Sequence, residues 1–220
     1  MNTTFYKNKS QYPFVAGFWL MAAIPAYLPI LFLLTEVFDL EFESPPARFI
    51  FFLIHFATGY LWARSLGRRS GLADNKLMNV FGGLGFSLLV IWLFILPPGS
   101  ALQVQVDHWI DSFKGKGNFE FGAIFAPWTG LVCGISGFAL GVGLKDLKLA
   151  LKLLVLGFLT GLGLYLAIMF TMQLLGFKVG SGRPVMLPTT FLSMWSTALV
   201  GSAVFGKVLA KSDENNPNLE

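Results

Sequence analysis

The chain has 220 residues, of which 55% are hydrophobic and only 13% are charged. The charged share is about half that of a typical soluble domain, so the composition excludes a water-soluble globular fold and favours an integral membrane protein. The formal net charge of +4 comes from Lys and Arg in short loops between apolar runs, which is a topology signal and not the basic patch of a nucleic-acid-binding protein.

Six apolar runs can be drawn along the sequence, and each is long enough to cross a hydrocarbon core of about 30 Å as a helix. They predict an all-α, polytopic membrane protein with a bundle of six transmembrane helices between residues 14 and 208. The predicted spans are 14–37, 46–65, 77–96, 119–144, 149–177 and 185–208. Residues 1–13 are predicted to precede the bundle in the cytoplasm, and residues 209–220 to form a disordered cytoplasmic tail.

The basic residues favour one side of the membrane. They lie before the first span and in the second and fourth loops, whereas the first loop carries four acids and Arg48. This bias predicts a multi-pass protein of the inner (plasma) membrane with both termini in the cytoplasm, although Lys178 and Arg183 in the fifth loop oppose it. Arg64, Arg68 and Arg69 are orientation determinants that also attract anionic lipid head groups.

The third loop is the longest, and residues 101–113 carry apolar side chains at helical spacing. We therefore expect an amphipathic helix that lies at the outer membrane interface. His108 lies there between Asp107 and Asp111, and these three side chains form only a loose set of ligands on a short helix. A solvated interfacial face explains them, and no metal site is predicted.

Glycine spacings in the fourth and fifth spans predict close helix packing. The motifs are Gly130-x-x-x-Gly134, Gly137-x-x-x-Gly141 and Gly157-x-x-x-Gly161. Helices gain little from apolar burial in lipid, so close backbone approach holds them together, and these two spans are expected at the centre of the bundle. The same faces are compatible with packing inside one chain, with a homo-oligomer and with a partner membrane subunit.

A short pattern recurs in both halves of the chain. Phe56-Ala-Thr58-Gly59 in the second span matches Phe158-Leu-Thr160-Gly161 in the fifth at an offset of 102 residues, which also carries Pro25 onto Pro127. The pattern is compatible with two inverted three-helix halves, an architecture common among transporters. The third spans of the two halves do not align at this offset.

His55 lies near mid-depth of the second span, whereas no Asp or Lys is found near the middle of any span. The missing carboxylate disfavours an ion-coupled carrier. His55 has three interpretations: a packing residue bonded to a hydroxyl such as Thr160 or Ser196, a group that contacts a substrate or handles a proton, or a ligand of a haem, pigment or metal. The sequence does not identify a cofactor, and the lone Cys133 cannot form an intrachain disulfide.

Two segments resemble membrane enzymes. Gly134-Ile-Ser136-Gly137 is similar to the nucleophile motif of rhomboid intramembrane proteases, and His55-x-x-x-Gly59 is similar to their second helix. That mechanism requires a histidine on the sixth helix, where this chain has none, so the resemblance implies at most an inactive relative. Phe113-Lys-Gly-Lys-Gly117 is similar to a phosphate loop of membrane glycerol-phosphate acyltransferases, whose catalytic segment is missing here.

These observations favour a membrane transport component for a small uncharged or hydrophobic solute, either a passive pathway or a substrate-binding subunit. Its expected surroundings are the lipid bilayer, and nucleic acid is not an expected partner. The hypothesis predicts a ligand-binding cavity at mid-depth, lined by His55, Thr58, Ser136, Thr160 and Ser196. The alternatives are an intramembrane or lipid-modifying enzyme, which is less favoured, and a structural or assembly subunit of a membrane complex.

Overall fold

The computed structural model describes residues 12–22, 29, 33, 45–94, 118–176 and 183–215. These residues form an all-helical fold, and no β-strand occurs among them. The described helices are α1 (Pro13–Ala22), α2 (Pro45–Arg69), α3 (Lys76–Phe94), α4 (Asn118–Gly143), α5 (Leu147–Leu174) and α6 (Arg183–Asn215). The predicted interfacial helix at 101–113 and the phosphate-loop segment at 113–117 lie outside the described residues.

Four of the described helices are long and apolar enough to cross a membrane. The spanning segments are Phe49–Arg69, Ala126–Gly143, Leu147–Leu174 and Leu192–Ser212. They correspond to the predicted second, fourth, fifth and sixth spans, so the prediction of a helical membrane protein is confirmed for these four. The first and third predicted spans overlap α1 and α3, and their crossing of the membrane stays a prediction.

The end of α6 differs from the expected boundary. The helix continues to Asn215, so the predicted disordered tail is wrong for residues 209–215. The physical reason is that Leu209 is fully buried in the core, while Lys207 and Lys211 on other faces are exposed. The last turns are therefore amphipathic and remain helical beyond the apolar run.

Consecutive helices from α2 to α6 pack against each other in chain order, and α1 lies against both α2 and α6. The α4–α5 contact uses the predicted glycines, because a Cβ added at Gly134 would lie 2.8 Å from the carbonyl oxygen of Leu154, and one at Gly161 would lie 2.5 Å from that of Thr129. The expectation of close backbone approach is therefore confirmed. Of the two helices, α4 is the more central, with 56% of an apolar 18-residue stretch buried against 28% for such a stretch of α5.

The recurring Phe-x-Thr-Gly pattern has the same local geometry in both halves but different neighbours. Gly59 packs on Gly82 of α3, whereas Gly161 packs on Thr129 of α4. A two-fold relation between the halves would carry the α2–α3 contact onto α5–α6. The inverted repeat is therefore not confirmed, and the shared motif is explained by local helix packing.

One end of the bundle is strongly basic. At this basic end α2, α4 and α6 finish and α3 and α5 begin, as shown by the contacts of Gly143 with Met78 and of Gly206 with Leu66. Short caps form the turns: the Asn75 side chain accepts from the amide of Met78, and that of Asp146 accepts from the amide of Leu149. The basic residues of the second and fourth loops thus meet on one side of the bundle.

Candidate functional site

His55 is buried in the middle of α2, with 3% of its surface exposed. Its Nδ1 lies 2.7 Å from the carbonyl oxygen of Phe51, and its ring centroid lies 5.6 Å from that of Phe86 on α3. A carbonyl oxygen can only accept, so Nδ1 carries the proton and Nε2 is an acceptor in the neutral ring. His55 is thus anchored to its own helix and packs at the α2–α3 contact.

Thr58 is the predicted site residue nearest to His55. Its hydroxyl lies 3.0 Å from the carbonyl oxygens of both Ile54 and His55 and shares one proton between them. The structure therefore joins these two residues within one helix. Such bonding to the preceding turn leaves the hydroxyl oxygen as an acceptor for any further partner.

Ser136 and Thr160 also donate to their own helices. The Ser136 hydroxyl lies 2.9 Å from the carbonyl oxygen of Val132, and that of Thr160 lies 2.7 Å from the carbonyl oxygen of Leu156. Ser136 is buried beside Gly85 of α3, whereas Thr160 is half-buried. Since the serine proton points to Val132, Ser136 does not donate to His55, as a nucleophile would to its general base.

Ser196 is only half-buried, and its neighbours in α6 occupy the interior face instead. Ser193 is fully buried, and Thr197 has 7% of its surface exposed. The Thr197 hydroxyl oxygen is buried and has no hydrogen-bond partner in the part of the chain that the structure describes. The sequence did carry a signal for this face, because Ser193, Thr197, Gly201 and Phe205 recur every four residues.

The surroundings of Thr197 follow from the register of α4 and α6. A Cβ added at Gly201 would lie 3.0 Å from Sγ of Cys133, and one at Gly137 would lie 2.7 Å from the ring of Phe205. The two contacts are four residues apart on each helix, so α4 and α6 run in parallel with a fixed register. Thr197 lies one turn further from the basic end than Gly201, on the same face of α6, and Ser193 lies one turn beyond it. We call Ser193 and Thr197 the hydroxyl cluster.

The buried polar groups around this interior are uncharged. Within residues 49–87, 126–176 and 192–212, every Lys, Arg, Asp and Glu lies at the basic end, and the buried polar side chains of the spanning helices are hydroxyls and the imidazole of His55. Cys133 is buried against Gly201. Over these residues the interior can therefore hydrogen-bond a neutral group and offers no carboxylate for ion coupling.

Metal ligation finds no support among the described residues, where no group of three or more His, Cys, Asp or Glu side chains comes together. His108 and its neighbouring aspartates lie outside them. Comparisons of the chain with known protein families, with curated protein sequences and with solved structures give no match.

Proposed function

We propose that the protein is a membrane transport component for a small uncharged solute, acting as a passive pathway or as a substrate-binding subunit. The observation that carries the proposal is the buried Thr197 hydroxyl, which has no partner among the described residues. A buried polar group without a partner costs about 1–3 kcal/mol. A solute that hydrogen-bonds Thr197 would offset this cost and so bind at the hydroxyl cluster.

The character of the solute follows from the groups that would surround it. A charged solute would need a counter-charge in the low-dielectric interior, and the described interior has none. The lining residues predicted from the sequence are His55, Thr58, Ser136, Thr160 and Ser196. The hydroxyls of Thr58, Ser136 and Thr160 already donate to their own helices, so they favour a solute that brings N–H or O–H donors.

We further propose that the chain has six spans and lies in an inner (plasma) membrane. The lysine and arginine bias favours an orientation in which the basic end and both termini face the cytoplasm. The enzyme alternative is weaker because Ser136 donates to Val132. The alternative of an assembly subunit has no specific contact in its favour among the described residues.

The test is solute movement in proteoliposomes that contain the full chain, with glycerol and urea as neutral probes and stopped-flow light scattering as the readout. We expect the protein to raise permeability above that of protein-free vesicles, and Thr197→Val to remove most of this increase. Thr171→Val is the matched control, because Thr171 is exposed on α5 and donates to Ala167 of its own helix.

A second measurement covers a binding subunit that does not conduct by itself. Native mass spectrometry of the purified chain should show a bound neutral molecule that Thr197→Val releases and Thr171→Val retains. The proposal is wrong if neither probe moves faster than through protein-free vesicles and no neutral molecule is bound. It is equally wrong if Thr197→Val behaves as the native chain does in both measurements.

A further inference from the structure

Two arginines at the end of α2 share one carboxylate from the α2–α3 loop. Nη2 of Arg64 lies 3.4 Å from Oδ2 of Asp74, and Nη2 of Arg68 lies 3.6 Å from the same oxygen. The other oxygen, Oδ1, accepts from Nδ2 of Asn79 at 2.9 Å. Asp74 is thus engaged on both sides and fixes the positions of the two guanidinium groups. We call Arg64 and Arg68 the arginine pair.

The arginine pair has many more donors than acceptors. Each guanidinium carries five N–H donors in a planar fork, and the two share a single carboxylate oxygen. Nε of Arg64 is buried without a partner among the described residues. The side chains of Arg64 and Arg68 are 39% and 59% exposed, so their outer N–H groups can reach a ligand at the surface. An acceptor with several oxygens would match these outer donors.

The electrostatic surroundings favour an anion. The described side chains at the basic end include seven further lysines and arginines and one further acid, Asp146, while Asp213 and Glu214 follow in the last turn of α6. Lys76 lies at the start of α3, and Gly143 in α4 contacts Met78 of that helix, which brings the α4–α5 turn with Lys145 close by. Asp74 therefore offsets only part of a local positive excess.

We propose that the arginine pair binds the phosphate of an anionic phospholipid head group, with Asp74 positioning the two guanidinium groups. Arginine forks match phosphate oxygens in a bidentate manner. The pair lies in the last two turns of Phe49–Arg69, a segment long and apolar enough to span a membrane, and the end of such a segment is where lipid phosphates come within reach. A lipid also gains from apolar surface on the same two helices, because Leu77 of α3 and Leu53 of α2, about three turns from Arg64, are exposed where an acyl chain could lie. Free phosphate could make the same contacts with the arginine pair, but it has no acyl chain to cover this apolar surface.

Native mass spectrometry of the full chain in detergent tests the proposal, with equal amounts of phosphatidylglycerol and phosphatidylcholine of the same chain length added. We expect phosphatidylglycerol to bind preferentially. Arg68→Gln should weaken its binding about tenfold, the effect of one lost hydrogen bond to a charged group. The affinity of Arg68→Lys for phosphatidylglycerol should fall between those of the native chain and Arg68→Gln, because lysine keeps the charge but lacks the planar fork of N–H donors. Lys207→Gln is the control, since it removes the same charge from an exposed position of α6 at the same end.

Three results would overturn the proposal. Equal binding of the two lipids would exclude recognition of the anionic head group. An equal effect of Lys207→Gln and Arg68→Gln would show diffuse attraction by the whole basic end. Displacement of phosphatidylglycerol by millimolar inorganic phosphate would make the soluble anion the ligand. If Arg68→Gln does not fold, Arg68→Lys and the comparison of the two lipids on the native chain still decide the question.

Discussion

The indole Nε1 of Trp62 donates a 2.9 Å hydrogen bond to the hydroxyl of Ser202, and this bond joins α2 to α6 inside the bundle. The Ser202 hydroxyl in turn donates to the carbonyl oxygen of Ala198. That same carbonyl is in close contact with Gly17 of α1. The two hydrogen bonds and this contact therefore connect α1, α2 and α6.

Removing the Ser202 hydroxyl should destabilise the fold. Ser202→Ala leaves the buried Trp62 N–H without its acceptor, and we expect the free energy of unfolding to fall by about 1–2 kcal/mol. Thermal unfolding in detergent measures the effect. The double variant Trp62→Phe, Ser202→Ala should lose less free energy of unfolding than the two single variants lose together. Equal losses, meaning strict additivity, would contradict a direct bond between the two side chains.

Two glycines on α5 give a sharp test of helix packing. A Cβ at Gly161 would lie 2.5 Å from the carbonyl oxygen of Thr129, whereas a Cβ at Gly163 would meet nothing within 4 Å. Gly161→Ala must push α4 and α5 apart, and we expect a loss of about 1–3 kcal/mol of stability. Gly163→Ala should be neutral or stabilise by up to about 1 kcal/mol, because alanine favours the helix. Equal melting temperatures of the two variants would exclude the α4–α5 contact.

Much of this fold could be predicted because length and apolarity alone decide whether a helix can cross a membrane. The glycine motifs likewise predicted where α4 and α5 approach, because glycine has no side chain and lets two helix backbones come close together. The end of α6 was harder to predict. The burial of Leu209 depends on tertiary contacts, and a hydropathy pattern does not contain them.

The candidate site was less predictable for a related reason. The four-residue recurrence of Ser193, Thr197, Gly201 and Phe205 marks one face of α6. Because α6 is apolar on every side, however, the recurrence does not show whether that face or the face of Ser196 is buried, which depends on the rotation of the helix. That rotation is set by close contacts such as Gly201 with Cys133 and Gly17 with Ala198. The arginine pair was predicted as an orientation signal, but its link to Asp74 required the geometry of the loop.

The loop carboxylate should also make stability depend on pH. The pKa of Asp74 lies below its ordinary value of 3.8, first because Asn79 donates to it and then because Arg64 and Arg68 are nearby. A lowered pKa in the folded state means that the ionised form contributes stability above the unfolded pKa, and that this contribution is lost as the pH falls through the folded value. Asp74→Asn should therefore be less stable than the native chain at pH 7, and the difference should shrink below pH 3.8. A constant difference in melting temperature over this range would contradict the interaction.

Cysteine accessibility can decide whether the hydroxyl cluster faces a solute path or dry packing. In a Cys133→Ala background, Thr197→Cys should react with a small, water-soluble methanethiosulfonate reagent, because a solute path must admit small polar molecules. Ser202→Cys is the matched control, since Ser202 lies on the same helix but is buried against Trp62. We expect it to remain unmodified until the protein unfolds. If both cysteines stay unreactive in the folded protein, the unpartnered hydroxyl of Thr197 is sealed inside the bundle and the transport proposal loses its site.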